Sequence, residues 1–230
     1  MTDRPILFSR EMVRALLAGR KTQTRRVIDF PGVENVMDFV KVATDPQGRP
    51  VYEMKDATGA FVSRPSGKGL VDYQYAPPIG VGDRLWVREA WFAARSLDTT
   101  PPRDITHDAD IEYDATKRSY AEIGLTGKLR PSMFMPRWAS RVTLIVKDVK
   151  IERLQAISGA DAIAEGAEIT TDRTMTGPMV RVAAGTYLSP VAWYHRLWDD
   201  INGPGAWDAN PWVVAYTFVT IHANIDKVAA

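Results

Sequence analysis

The sequence predicts a small α+β or barrel architecture, and three observations predict it. Segments 85–92, 141–151 and 212–221 are rich in Val, Ile, Trp, Tyr and Phe, and the first two alternate in part between apolar and polar residues, as half-buried strands do. Three short stretches carry the end signals of helices. No strand–helix–strand rhythm runs through the chain, which argues against a parallel α/β sheet.

The first helix is expected behind Ser9, where Met12, Val13, Leu16 and Leu17 recur at helical spacing and Gly19 suits a left-handed exit. A second, short helix follows Ser158-Gly-Ala-Asp161, which resembles a capping box, and runs through Ala162, Ile163 and Ala164 to about Glu165 before Gly166. The third has Ser189 as cap, Pro190 in its first turn, an apolar stripe of Trp193, Tyr194, Leu197, Trp198 and Ile201, and a stop at Gly203-Pro204. Its aromatics read as core rather than as a stacking platform. Three polar stretches punctuated by Gly and Pro, about 29–80, 95–136 and 167–188, are too long for ordinary connections and read as insertions in a single domain spanning 1–230.

A chain of 230 residues, 45% hydrophobic and with seven tryptophans, can build a sizeable core. Its 29 basic and 28 acidic side chains leave a net charge of +1, so no overall polybasic field draws it to nucleic acid or a membrane surface. The absence of cysteine excludes disulfides, thiolate nucleophiles and cysteine metal sites. No apolar run approaches ~18 residues, and charges interrupt the N-terminus, so a cytoplasmic location is the expectation.

Several chemistries lack their usual residues. The histidines at 107, 195 and 222 are far apart and stand in neither an H-E-x-x-H nor an H-x-E context, so no metal site is expected. G-x-S-x-G, G-x-G-x-x-G and the P-loop are all absent, so no nucleotide cofactor is implied.

What remains is Gly19-Arg20-Lys21-Thr22-Gln23-Thr24-Arg25-Arg26. Residues 1–30 hold seven basic and three acidic side chains, a net of +4, and the rest of the chain nets −3. A local anion or nucleotide site fits that concentration of charge, although the same cations also complement the carboxyl end of the first helix. In extended geometry Thr22, Thr24 and Arg26 would share one face, with Lys21 curled back at the bend. A threonine hydroxyl needs a base, and a lysine serves only when its amine is partly neutral, which burial and a neighbouring cation such as Arg26 promote.

This stretch, together with Gly82-Asp83-x-Leu85-Trp86-Val87 entering a strand and the 157–166 helix before a closing strand, resembles the ASCH-domain family. The resemblance implies a PUA-like β-barrel and covers ~100 residues spread over the chain, outside the three insertions. It also implies an amidohydrolase acting on N4-acetylcytidine and related N4-acylated cytosines. The family's lysine falls on Lys21, its threonine on Thr24 and its acid on Glu165, with Glu168 the alternative alignment. The implied chemistry has Lys21 activating Thr24 for attack on the exocyclic amide, with Glu165 protonating the departing nitrogen. Arg26 or backbone N–H groups of the 22–26 turn would stabilise the oxyanion.

Two further residues are candidates for the substrate pocket, beside Thr22 and Arg26. If 85–91 is one regular strand, Glu89 shares a face with Leu85, Val87 and Trp91, which places its charge either in a pocket or in a buried ion pair with an arginine. Trp86, on the opposite face with Arg88, can stack on a base or simply pack. Two other functions use the same residues. One is an RNA- or modified-nucleobase-binding module without turnover; the other is a ribonuclease acting on single-stranded RNA.

Overall fold

The computed structural model describes residues 1–29, 36–46, 48–66, 69–116, 126–170 and 177–228. Its centre is one mixed sheet of five strands: β1 (Asp3–Leu7), β2 (Gln23–Val27), β3 (Arg84–Arg88), β4 (Thr143–Arg153) and β5 (Trp212–Ile221). The order is β1-β3-β4-β5-β2. β1 and β3 run parallel, and every other neighbouring pair is antiparallel. The sheet is not closed into a barrel, because β1 and β2 both remain edge strands. A side chain crosses from one edge to the other, with Arg26 Nη2 donating to the Leu7 carbonyl at 2.9 Å.

Alternation along the strands gives the sheet two apolar faces. On one, Ile6, Leu85, Val87, Leu144, Val146, Val214, Tyr216 and Phe218 pack with Met12, Val13 and Leu16 of α1 (Arg10–Leu17), the helix joining the two edges. Val13, Leu16, Leu85 and Leu144 are wholly removed from water, each a contribution of roughly 1.5–3 kcal/mol. On the other, Val213 meets Leu154, Ile157, Ala162, Tyr194 and Trp198, supplied largely by α2 (Gly159–Ala164) and α3 (Pro190–Asn202).

The helix ends follow the sequence signals with one exception. Ser158 Oγ accepts from the Asp161 N–H at 3.0 Å and Ser189 Oγ from the Ala192 N–H at 3.2 Å. Ser9 stands at the N-cap of α1, but its side chain makes no capping hydrogen bond.

The expected strand 85–92 is two strands. β3 ends at Arg88, and Trp91–Ala93 pairs instead with Ile111–Tyr113. The chain changes partners at Glu89: Val87 N still bonds the Val142 carbonyl, whereas Trp91 N bonds that of Arg130. The strand expected at 141–151 begins and ends two residues later, which brings Glu152 into β4.

The three long stretches carry structure of their own. The first holds a three-stranded sheet of Asp38–Thr44, Pro50–Lys55 and Gln74–Tyr75, whose Phe39 and Tyr75 pack onto the first core, and a hairpin of Ser63–Ser66 with Gly69–Asp72. The second contributes Ile105 and Met135 to a third cluster around Trp91. The third contains a hairpin of Val180–Ala183 with Thr186–Leu188. The parts of these stretches at 30–35, 47, 67–68, 117–125 and 171–176 lie outside the described residues. Among the described residues no helix is long and apolar enough to cross a membrane.

Candidate active site

The site forms at the free edge of β2, because α1 ends in a turn that delivers Lys21 there. Gly19, at φ +71°, reverses the chain, and the N–H groups of Arg20 and Lys21 both bond the Ala15 carbonyl. Thr22 N then bonds the Ala164 carbonyl at 2.8 Å, so Lys21 lies opposite Glu165, the residue that terminates α2. Gly166 follows at φ +116°, and a Cβ there would stand 3.0 Å from Ala15 Cβ and 3.4 Å from Lys21 Cβ. Glycine lets the end of α2 approach this turn closely.

Two buried ions face each other as a result. Lys21 Nζ donates to Glu165 Oε2 at 2.7 Å and to the Glu165 backbone oxygen at 2.9 Å. The side chains are 1% and 4% exposed. Burial lowers the Lys21 amine below its ordinary 10.5; the Glu165 carboxylate opposes that shift, and the charges of Arg26 and Arg25 add to it. The other carboxylate oxygen, Glu165 Oε1, accepts from Arg25 Nη1 at 3.0 Å.

Thr24 is 2% exposed and lies opposite Tyr216 in the β2–β5 ladder. The bonds Phe218 N to Thr22 O and Ile28 N to Trp212 O set the parity of that ladder. Thr24 and Arg26 therefore exchange backbone hydrogen bonds with β5, and the N–H groups of Arg25 and Val27 point from the free edge of the sheet.

A cavity of about 90 Å³ opens beside this edge. Lys21, Thr24, Arg26 and Glu165 all line it, as do Phe8 and Tyr194. Lys21 Nζ lies 5.6 Å and the Arg26 guanidinium 5.4 Å from the centre of the Phe8 ring, within cation–π range. Tyr194, on α3, is 3% exposed, and burial pushes its phenol well above the usual range. Val27 and Ile201, both exposed, mark the mouth.

Four of the seven residues singled out in the sequence thus border one cavity, and three do not. Thr22 is exposed and absent from the lining, its N–H held by Ala164 O and its carbonyl by Phe218 N at the start of β2. Trp86 is buried under the Arg88 guanidinium, 4.5 Å from its ring centre, with Pro5 and Thr143 as strand neighbours. Glu89 forms a two-pronged ion pair with Arg141, at 2.9 and 3.0 Å, in the break between strands. Burial pushes its carboxyl up while the guanidinium opposes the shift. Glu168, the alternative acid, is exposed and 3.9 Å from Arg20.

Sequence reasoning missed Arg25 and Tyr194. The sequence names Arg25 only among the cations that complement the end of the first helix, yet its side chain is 0% exposed among Glu152, Asp161 and Glu165 and borders the cavity. No alternation marks Arg25, because Gln23, Thr24 and Arg25 are buried in succession. Tyr194 was assigned to the core; it belongs there and also to the cavity wall. Among the described residues no group of three or more His, Asp and Glu side chains is placed to hold a metal ion.

No family model matches this chain, and neither a curated protein nor a solved structure matches it.

Proposed function

We propose that the protein is an amidohydrolase that removes the acyl group from N4-acetylcytidine or a related N4-acylated cytosine. The observation that carries this reading is the meeting of Lys21, Thr24 and Glu165 at one cavity although 144 residues separate Lys21 from Glu165. The resemblance of the 19–26 stretch to the ASCH family supports the same reading, with the open five-stranded sheet as a PUA-like barrel parted between β1 and β2. A cavity of about 90 Å³ has room for an amide head group.

The proposed cycle uses one proton twice. Lys21 passes a proton to Glu165 across their 2.7 Å contact, leaving a neutral amine and a carboxylic acid. The amine takes the Thr24 hydroxyl proton as the oxygen attacks the amide carbonyl. The Arg25 N–H, one residue beyond the nucleophile, is directed from the free edge and meets the oxyanion, as N–H groups at that position do in other acyl-transfer sites. The Glu165 acid then protonates the departing nitrogen, which leaves as the cytosine amine, and Thr24 carries the acyl group. In the second half Glu165 takes a proton from water, the hydroxide attacks the acyl-threonine, and the Lys21 ammonium returns a proton to Thr24. The starting proton count is restored and a carboxylic acid leaves.

The test is incubation with free N4-acetylcytidine and, separately, with single-stranded RNA. Release of cytidine and acetate supports the reading. Binding of intact nucleoside without release, or cleavage of the RNA, overturns it in favour of a receptor or a ribonuclease respectively.

A further inference from the structure

Arg25 occupies an unspecified position in the Gly-Arg-Lys-Thr-x-Thr-x-Arg pattern, yet its guanidinium is the most heavily bonded group near the cavity. Nε and Nη2 donate to Glu152 Oε1 at 3.1 and 2.7 Å, and Nη1 donates to Gln23 Oε1 at 2.6 Å and to Glu165 Oε1 at 3.0 Å. Asp161 Oδ2 lies 3.4 Å from Nη2, and the ring of Tyr194 lies 5.9 Å from the guanidinium carbon. These partners come from β2, β4, α2, the residue that ends α2, and α3. Arg25 borders the cavity, but its guanidinium is 0% exposed and all three of its nitrogens are spent on Glu152, Gln23 and Glu165.

We infer that Arg25 is the positioning residue of this site, holding Glu165 by Oε1 so that Oε2 remains on Lys21. The inference rests on the reading of Lys21 and Glu165 as the acid–base pair. Glu165 is gripped by both oxygens, and rotation of its carboxyl would break one contact or the other. Arginine suits the task because a planar fork satisfies acceptors from several elements at once, whereas an ammonium is a point charge. Lysine at this position keeps the charge and loses the geometry.

The groups facing Lys21 are few. Glu165 approaches from the end of α2, Arg25 and Arg26 belong to β2, and α3 places Tyr194 in the same cavity lining. The part of the lining nearest α1 consists of Phe8 and Met12. Removing the Arg25 charge therefore raises the pH at which Lys21 titrates; comparison with Glu152→Gln, which disturbs the same packing and leaves the cation, separates that effect from a change in burial.

The experiment compares wild type, Arg25→Lys, Glu152→Gln and the double variant Arg25→Gln/Glu152→Gln. The double variant removes one cation with one carboxylate partner, so no net charge is stranded. Lys21 Nζ is followed by nitrogen-15 NMR in each protein, and kcat and KM are measured on N4-acetylcytidine. Arg25→Lys is expected to lower kcat by roughly 10–100-fold, the scale of a misplaced catalytic group, with KM changed less than about threefold. In the double variant Lys21 is expected to titrate at higher pH than in Glu152→Gln alone. Wild-type kcat in Arg25→Lys, or coincident Lys21 titrations in the latter pair, overturns the inference. Should the double variant not fold, Arg25→Lys decides alone. If wild type hydrolyses no N4-acylcytidine, the amidohydrolase reading fails, and the NMR comparison still decides the role of Arg25.

Discussion

Lys21 Nζ and Glu165 are joined twice, at 2.7 Å through the side chain and at 2.9 Å through the backbone carbonyl, in a site from which water is nearly excluded. The double contact ties the turn after α1 to the last residue of α2. It makes the Lys21–Glu165 ion pair part of the packing.

Burial of Lys21 predicts a pH dependence of stability. Its amine titrates below the ordinary 10.5 in the folded protein. Below the folded value both states bind the proton and the desolvation cost is fully present. Between the folded value and 10.5 the unfolded chain binds a proton that the folded chain does not, so stability rises with pH across that window and levels off above it. Urea unfolding of wild type and Lys21→Met from pH 7 upward is expected to show wild type gaining on the variant as pH rises. A difference that shrinks with pH contradicts the assignment.

Thr24→Ala separates the covalent route from its alternatives. If Thr24 carries the acyl group, kcat falls by roughly 10³-fold or more, the scale seen when a nucleophile is removed. The thermal midpoint falls modestly, because a buried methyl and hydroxyl are lost while the β2–β5 backbone ladder stays intact. Full rate in Thr24→Ala would show that water attacks the amide directly. Mass spectrometry of the wild-type enzyme mixed with substrate and quenched in acid checks for acyl-Thr24 independently.

Much of the candidate site was legible because its parts are local. Gly19 to Arg26 announces a turn, an amine and a hydroxyl in eight residues, and the capped segment after Ser158 delivers Glu165 at a helix end. Parity was harder to read. Thr22 starts the ladder, with its carbonyl on Phe218 N and its N–H on Ala164 O, but its side chain is exposed, so only Thr24 and Arg26 of that face border the cavity. Long-range closure was not legible at all. Nothing in 85–92 marks the change of partners at Glu89, since it depends on Arg130 and Arg141, 40 or more residues away. Strand order and an open edge between β1 and β2 likewise arise from packing across the chain.

Glu89 and Glu165 make opposite predictions although both are buried carboxylates. Glu89 is paired with Arg141 and lies away from the cavity, so Glu89→Ala takes the carboxylate from a guanidinium that is partly exposed and still held by Thr116 and the Tyr113 ring, and is expected to cost about 1–3 kcal/mol of stability. The folded fraction keeps its kcat within about threefold. Glu165→Ala lowers kcat by at least roughly 10²-fold even where the protein remains folded, as loss of a general acid does. Chemical denaturation and single-turnover rates on both variants check the contrast, and equal loss of rate in the two would put Glu89 back among the site residues.

Gly166→Ala tests whether the close approach at the end of α2 matters for chemistry as well as for folding. The position requires φ +116°, and the added Cβ meets Ala15 Cβ at 3.0 Å and Lys21 Cβ at 3.4 Å. Backbone strain at such a site is on the order of 1–3 kcal/mol. Relief requires the end of α2 to move from the turn after α1, which lengthens the Lys21–Glu165 contact. The variant is therefore expected to lose stability and to lose kcat by about 10-fold or more in its folded form, with KM little changed. A control at Gly159, which has open space at its Cβ position and no positive φ, loses neither when changed to alanine. Wild-type kcat in a destabilised Gly166→Ala would separate the packing of this turn from the alignment of the pair.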